Sequence, residues 1–265
     1  MAKTIACIIA RTVSTRLPLK VLRTVHDNYS LLDYLINRLK KVSEIDEIYL
    51  CTSEIDVDDI MEDVAARNNI KLYRGSPDNV IERMLDVAEI TGADNVLRIT
   101  GDNVFTSYEY IGKQITFLND NQLDYCRIIN VPIGATAEVI RVSALKDCYT
   151  SIDPAVSEYL LLYIFQPEKY KCGVMKISNT DYSNMTLTVD TPKDLIRTKE
   201  IINSIADKTG AKLLDIIELI KNKNIQSAYF TPGAKIKLPY NQSILYDDFQ
   251  KDMENKIAQS LLLQL

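Results

Sequence analysis

Apolar residues recur along this chain in two alternating rhythms. Short continuous runs such as Ile5-Ala6-Cys7-Ile8-Ile9 predict strands buried on both faces, whereas stripes such as Leu31, Leu32, Leu35, Ile36 and Leu39 predict amphipathic helices. In order, the pattern gives a strand over 5–9, a helix from about Ser30 to Val42, a strand over 47–53 and a helix through Ile60, Val64 and Ala65. A strand over 71–75, a helix carrying Val80, Met84, Leu85 and Ala88, and a strand over 95–100 follow. Such alternation is the signature of parallel βαβ units. The fold class it implies is α/β: a doubly wound, mostly parallel sheet with helices on both faces. Ala137 to Val142 reads as the antiparallel strand often found in such sheets.

Further on, Leu187-Thr188-Val189 reads as another central strand ending at Asp190. Thr191-Pro192-Lys193-Asp194 then starts a helix with Thr as N-cap, Pro at the first helical position and an acid at the third. This helix is expected to run to about Lys208, ending near Gly210, and another to cover 213–223. After Phe230-Thr231-Pro232-Gly233 the rhythm changes. Phe249, Met253, Ile257 and Leu261 recur every four residues, predicting an amphipathic helix. The chain therefore divides into a domain over 1–229 and a C-terminal extension over 230–265. Its apolar stripe needs a cover, either its own domain or a second copy in a homodimer.

Of the 265 residues, 46% are hydrophobic and 25% charged, the balance of a globular protein. A net charge of −5 argues against nucleic acid as a partner. No apolar run is long enough to span a bilayer, and Met1-Ala2-Lys3-Thr4 leads directly into a strand, so a cytoplasmic protein without membrane contact is expected. Cys7, Cys51, Cys126, Cys148 and Cys172 form no CxxC pair and read as core residues. His26, the only histidine, sits in a turn-like His26-Asp27-Asn28. Chemistry must then run on carboxylates, cations and a hard metal.

The first strand ends by releasing Arg11, Arg16 and Lys20 within ten residues. Ligands of open α/β sheets gather at the carboxyl ends of strands, and guanidinium and ammonium groups there suit a polyphosphate. Asp102, after Arg98-Ile99-Thr100-Gly101, and Asp190 are placed at the same edge if their strands run parallel to the first. Mg²⁺ commonly takes one or two carboxylates and completes its shell from phosphate and water, so this pair beside the cationic loop is sufficient to hold metal and triphosphate.

The segment Ala10-Arg11-Thr12-Val13-Ser14-Thr15-Arg16-Leu17-Pro18-Leu19-Lys20-Val21-Leu22 resembles the opening motif of the cytidylyltransferases that activate acidic sugars. It is most similar to the spore-coat polysaccharide type and its sister enzymes for octulosonate and neuraminate. Val13 and Leu19 stand where that motif has glycine. Arg74-Gly75-Ser76-Pro77-Asp78-Asn79-Val80, Arg98-Ile99-Thr100-Gly101-Asp102 and Leu187-Thr188-Val189-Asp190-Thr191-Pro192-Lys193-Asp194-Leu195 match further elements, as do Gly134 and Glu138. The resemblance implies a CTP-dependent transfer of CMP to a small acidic acceptor. Asp102 and Asp190 would bind Mg²⁺, and Ala10, Arg11, Ser14, Lys20, Arg74, Gly75, Ser76, Thr100 and Gly101 would line the nucleotide. Glu138 and Glu158 would face the acceptor. Thr136 replaces an acid of the family, Tyr159 a histidine, and Asn103-Val104 a Cys-Pro pair.

Three other readings stay open on the residues alone. One is a nucleotidyltransferase of the same fold using another nucleotide or a phosphorylated or phosphonate acceptor. Another is a nucleotide-binding protein without turnover. The third is a metal-dependent glycosyltransferase using Asp56-Val57-Asp58, although those acids are explained more simply by a helix N-terminus.

Overall fold

The computed structural model describes residues 2–231 and 233–265, so Met1 and the Pro232 of the expected break lie outside the described residues. In chain order, β1 (Thr4–Ile9) is followed by a small hairpin of β2 (Thr24–His26) and β3 (Tyr29–Ser30), then α1 (Leu31–Leu39), β4 (Glu47–Ser53), α2 (Ile60–Arg67), β5 (Lys71–Gly75), α3 (Val80–Thr91) and β6 (Asn95–Thr100). Next come α4 (Ile111–Asp120), β7 (Tyr125–Ile129), β8 (Glu138–Arg141), α5 (Val142–Ser151), α6 (Leu161–Ile164), β9 (Cys172–Lys176), β10 (Met185–Thr186), α7 (Pro192–Ser204) and α8 (Leu213–Asn222). The chain finishes with β11 (Ala228–Tyr229), β12 (Lys235–Lys237), β13 (Ser243–Leu245), α9 (Tyr246–Ala258) and β14 (Leu261–Gln264).

Eight strands form the central sheet in the order β14-β9-β7-β8-β6-β1-β4-β5. Only β8 runs against its neighbours, as the Ala137–Val142 pattern predicts. The other seven open their carboxyl ends on one edge. Alternate residues of β1 explain why it must be apolar throughout: Ile5 and Cys7 enter one core with α3 and α5, while Ala6 and Ile8 enter another with α1 and α2. Capping boxes start α1, through Ser30 and Asp33, and α7, through Thr191 and Asp194.

Two expectations need correction. Leu187-Thr188-Val189 is not a strand of the central sheet. Strand β14 occupies the place beside β9, and the 187–189 segment instead runs extended across neighbouring loops. The Leu187 amide donates to Ile133 O at 2.9 Å and the Val189 amide to Asp102 O at 3.2 Å. Both side chains pack with α7 and α8 in a third core. At the C-terminus, α9 stops before Leu261, which begins β14 opposite Gly173. Within the stripe, Met253 is buried in the α3/α5 core and Phe249 and Ile257 pack partly against it, so its own domain supplies one of the two covers expected.

Candidate active site

The loop after β1 is pinned before it delivers its cations. Ala10 donates its amide to Cys51 O at 3.2 Å, and the buried Asp58 carboxylate accepts from the Thr12 amide at 2.7 Å and the Thr12 hydroxyl at 2.6 Å. Burial acts to raise the Asp58 pKa, but hydrogen bonds from Ser53 and Thr12 outweigh it and hold the carboxyl below its ordinary range. Asp58 is thus a positioning residue for the loop, a role beyond the helix-terminus charge read from sequence. Leu19 closes the turn by donating to Thr12 O at 3.2 Å, with φ at 55°. A left-handed residue is therefore needed where the family motif has glycine, and Leu19 adopts that backbone despite its side chain. Val13 is exposed and is not among the positive-φ residues.

Lys20, Asp102 and Asp190 meet as expected, although Asp190 arrives on the extended segment beyond the sheet. The Lys20 Nζ lies 2.5 Å from Asp102 Oδ2 and 3.0 Å from Asp190 Oδ1, and Arg16 Nη2 lies 2.9 Å from the same Asp190 oxygen. Burial acts against the Lys20 charge, but the two aspartates more than compensate and raise its pKa, keeping it an ammonium. Gly101 lets β6 reach this point: a Cβ there would stand 2.9 Å from Ala10 Cβ and 3.0 Å from Leu32 Cδ2. Among the described residues, no group of three or more His, Cys, Asp or Glu side chains is placed to hold a metal ion, so the protein offers the two carboxylates alone.

The remaining expected residues divide. Arg11 donates to Pro77 O at 2.7 Å, joining the cationic loop to the turn after β5, where Ser76 follows Gly75, the last residue of the strand. Ser14 sits within the loop and Thr100 at the end of β6. Arg74 turns away, held by Asp59 at 2.5 Å and Glu62 at 2.9 Å. Sequence reading missed Arg83, a fully buried α3 side chain whose Nη1 donates to Cys51 O at 3.4 Å while Nε and Nη2 are unpartnered. Burial pulls its pKa down. The signal was a cation inside the Val80, Met84, Val87 stripe, where water is excluded.

A cavity of about 670 Å³ opens along β6, β8 and β7, with Thr100 and Asn103, close to Asp102 in the chain, at its lining. Register places Arg98 and Arg127 on either side of Glu138 in a row across these strands. Glu138 is buried, bonded through Oε2 to Arg98 Nη1 and accepting at Oε1 from the Tyr125 hydroxyl at 2.7 Å. Burial acts to raise its pKa, yet Arg98 and Arg127 together hold it below the ordinary glutamate range. It therefore orients Arg98, and neither oxygen is left free. The Glu158 side chain is exposed and does not line the cavity; its backbone carbonyl accepts from Arg98 Nη2 at 3.2 Å. All five cysteines are buried and free, His26 is paired with Asp27 at 3.0 Å, and no helix among the described residues is long and apolar enough to cross a membrane.

Comparison with known proteins converges on one family. Residues 5–171 match the family model described as Cytidylyltransferase. The spore coat polysaccharide biosynthesis protein SpsF of Bacillus subtilis is 30% identical over 227 residues, 83% of this chain and 94% of that protein. A solved cytidylyltransferase from Leptospira borgpetersenii superposes with a TM-score of 0.80 at 27% identity, covering 87% of this chain and all of the other. The CTP complex of CMP:2-keto-3-deoxy-manno-octonic acid synthetase, 16% identical with a TM-score of 0.61, covers 76% of this chain and 99% of its own and shares the fold.

Proposed function

This chain belongs to the cytidylyltransferase family, and we propose that it transfers CMP from CTP to an acidic sugar or similar acidic acceptor with release of pyrophosphate. The observation that carries this reading is the convergence of Lys20 and Arg16 on Asp102 and Asp190, together with a cavity whose lining holds Arg98 and Arg127. An acceptor oxygen forms a bond to the α-phosphorus while the bond from that phosphorus to the pyrophosphate oxygen breaks. Arg11, Arg16 and Lys20 align the phosphates and neutralise the charge that grows on the departing pyrophosphate. Arg98, held by Glu138, and Arg127, which faces Glu138 from the next strand, attract the acid group of the acceptor.

A cation is evidently stable between Asp102 and Asp190, because the Lys20 ammonium rests there. Two hard oxygen donors, with no third His, Cys, Asp or Glu grouped with them among the described residues, fit Mg²⁺, which keeps most of its shell for phosphate and water. When bound, Mg²⁺ supplies charge neutralisation at the phosphates and lowers the pKa of an acceptor hydroxyl, which suits a site without a histidine base. Leu19 takes a left-handed backbone where the family's motif has glycine, which supports reading the loop as able to hold phosphate. The Bacillus subtilis relative's part in spore coat polysaccharide biosynthesis supports a surface glycan as the destination of the activated acceptor.

The test is pyrophosphate release from CTP and Mg²⁺ across a panel of sugar acids. Asp102→Asn and Asp190→Asn, which preserve side-chain size, are each expected to leave the fold intact and remove most of that turnover. Wild-type rates in both variants would overturn the site.

A further inference from the structure

The two edges of the central sheet are built differently. Strand β5 closes one edge, where Lys71 is engaged by Glu47 and Arg74 by Asp59 and Glu62, so charged side chains line that border. Such charges keep a free strand from pairing with another chain. Strand β14 closes the other edge with Leu261-Leu262-Leu263-Gln264, which has neither a charge nor a proline. Leu261 is 45% exposed and Leu262 52%. These residues lie outside the 5–171 stretch matched by the family model, so the edge is a feature that the matched part does not encode.

The backbone of β14 is used on one side only. It pairs in parallel with β9, and just beyond it the Leu265 amide donates to Lys176 O at 3.0 Å. Peptide groups alternate sides along a strand, so those of Leu261 and Leu263 face β9 as Leu265 does, and those of Leu262 and Gln264 point outward. Leu263 also packs inward against two cores, which fixes the strand in place. A held strand with outward peptide groups and exposed leucines is a template for one more strand.

The flank of β14 selects that strand. Helix α4 borders it, and Lys113, Thr116 and Asp120 share a groove with Leu261 and Leu262. Lys113 and Asp120 are exposed near opposite ends of α4, and among the described residues neither forms an ion pair. The helix packs on β7 and turns back into it, and β7, β9 and β14 are parallel, so α4 runs against β14. Asp120 therefore stands toward the Leu261 end and Lys113 toward the Gln264 end. An antiparallel copy of β14 brings its own α4 alongside in the reverse direction, which sets each Lys113 toward the partner's Asp120. A parallel copy would set like charges side by side.

We propose that β14 is a dimerisation edge. Two copies of this chain join β14 to β14 in antiparallel fashion, Leu262 opposite the partner's Gln264, and Lys113 and Asp120 form ion pairs across the two-fold axis. The central sheet then runs through both copies. None of these residues belongs to the nucleotide or acceptor site, so the interface stands whatever group the chain transfers.

Sedimentation equilibrium of the full chain over a range of micromolar concentrations reads the association directly. Wild type is expected to be a dimer in reversible equilibrium with monomer. Leu262→Lys puts a charge on the edge at an exposed position and should weaken the dimer at least tenfold with the circular dichroism unchanged. Lys113→Asp should also weaken it at least tenfold, because acid then faces acid on both sides of the axis, and adding Asp120→Lys to that variant should restore it. Should Leu262→Lys not fold, the charge swap, confined to the surface of α4, decides the matter. A wild type that stays monomeric throughout, or a dimer indifferent to these substitutions, would overturn the inference. So would association that continues past two copies, since a two-fold pairing closes on itself.

Discussion

Leu19 keeps a left-handed backbone with a Cβ attached, at φ 55°, a conformation that costs an L-residue roughly 1–2 kcal/mol. Glycine would relieve that cost but lose about 0.5–1 kcal/mol through its greater freedom in the unfolded chain. Leu19→Gly is therefore expected to change stability by less than about 1 kcal/mol, whereas Leu19→Val, β-branched in the same region, should destabilise by more than about 1 kcal/mol. Urea unfolding of the two variants checks the order. Glu138 offers a sharper case. Glu138→Gln would leave Arg98 and Arg127 without their carboxylate in a buried row, a loss of about 3–5 kcal/mol at neutral pH. Because the folded pKa is lowered, this stabilisation is present above the unfolded glutamate value of about 4.3 and is lost as pH falls through the folded one. The gap between wild type and variant should accordingly close in acid. The loop cations were legible because they broke an apolar run together. Arg83 and Arg127 were not, because one cation inside an apolar pattern looks the same whether it ends in water or in a cavity.

At the scale of elements, periodicity identified α9 but not its end. Leu261 continues the four-residue spacing of Phe249, Met253 and Ile257, yet the chain turns at Ser260, whose amide donates to Ile257 O at 3.1 Å, and Leu261 enters β14. A four-residue strand has too few positions to outweigh a helical repeat, and its partner β9 lies more than eighty residues earlier in the chain, a pairing no local pattern encodes. The same blindness applied to Leu187-Thr188-Val189, whose alternation fits a strand but is satisfied by packing on α7 and α8. Because Met253 is buried against the α3/α5 core of its own domain, Met253→Ala should cost about 2–5 kcal/mol through lost contacts and a residual cavity. That loss should not vary with protein concentration, since a contact within one chain is not subject to mass action. A midpoint shift that grew on dilution would instead place the stripe between two copies.

Across the whole molecule, the sheet order puts β1, β4 and β5 on one side of β6 and β8, β7 and β9 on the other. The cationic loop belongs to the first half, the arginine row begins on β6 and extends into the second, and Asp102 follows β6 where they join. Without nucleotide, Lys20 and Arg16 rest on the two aspartates. Nucleotide phosphates with Mg²⁺ would give each partner an opposite charge again, so binding should add stability instead of trading one ion pair for an unpaired group. CTP with Mg²⁺ at a hundred times its dissociation constant is expected to add about 2.7 kcal/mol, a melting shift of roughly 5–10 °C for a chain of this size. ATP, GTP and UTP at the same concentration should shift it less. Asp102→Asn and Asp190→Asn should lose the part of the shift that depends on Mg²⁺, because each removes one of two hard anionic donors. Thermal unfolding with each of the four nucleotides, with and without Mg²⁺, measures both effects in one series. A larger shift with GTP than with CTP would overturn the choice of nucleotide, and an Mg²⁺ dependence that survives both substitutions would move the metal away from the aspartate pair.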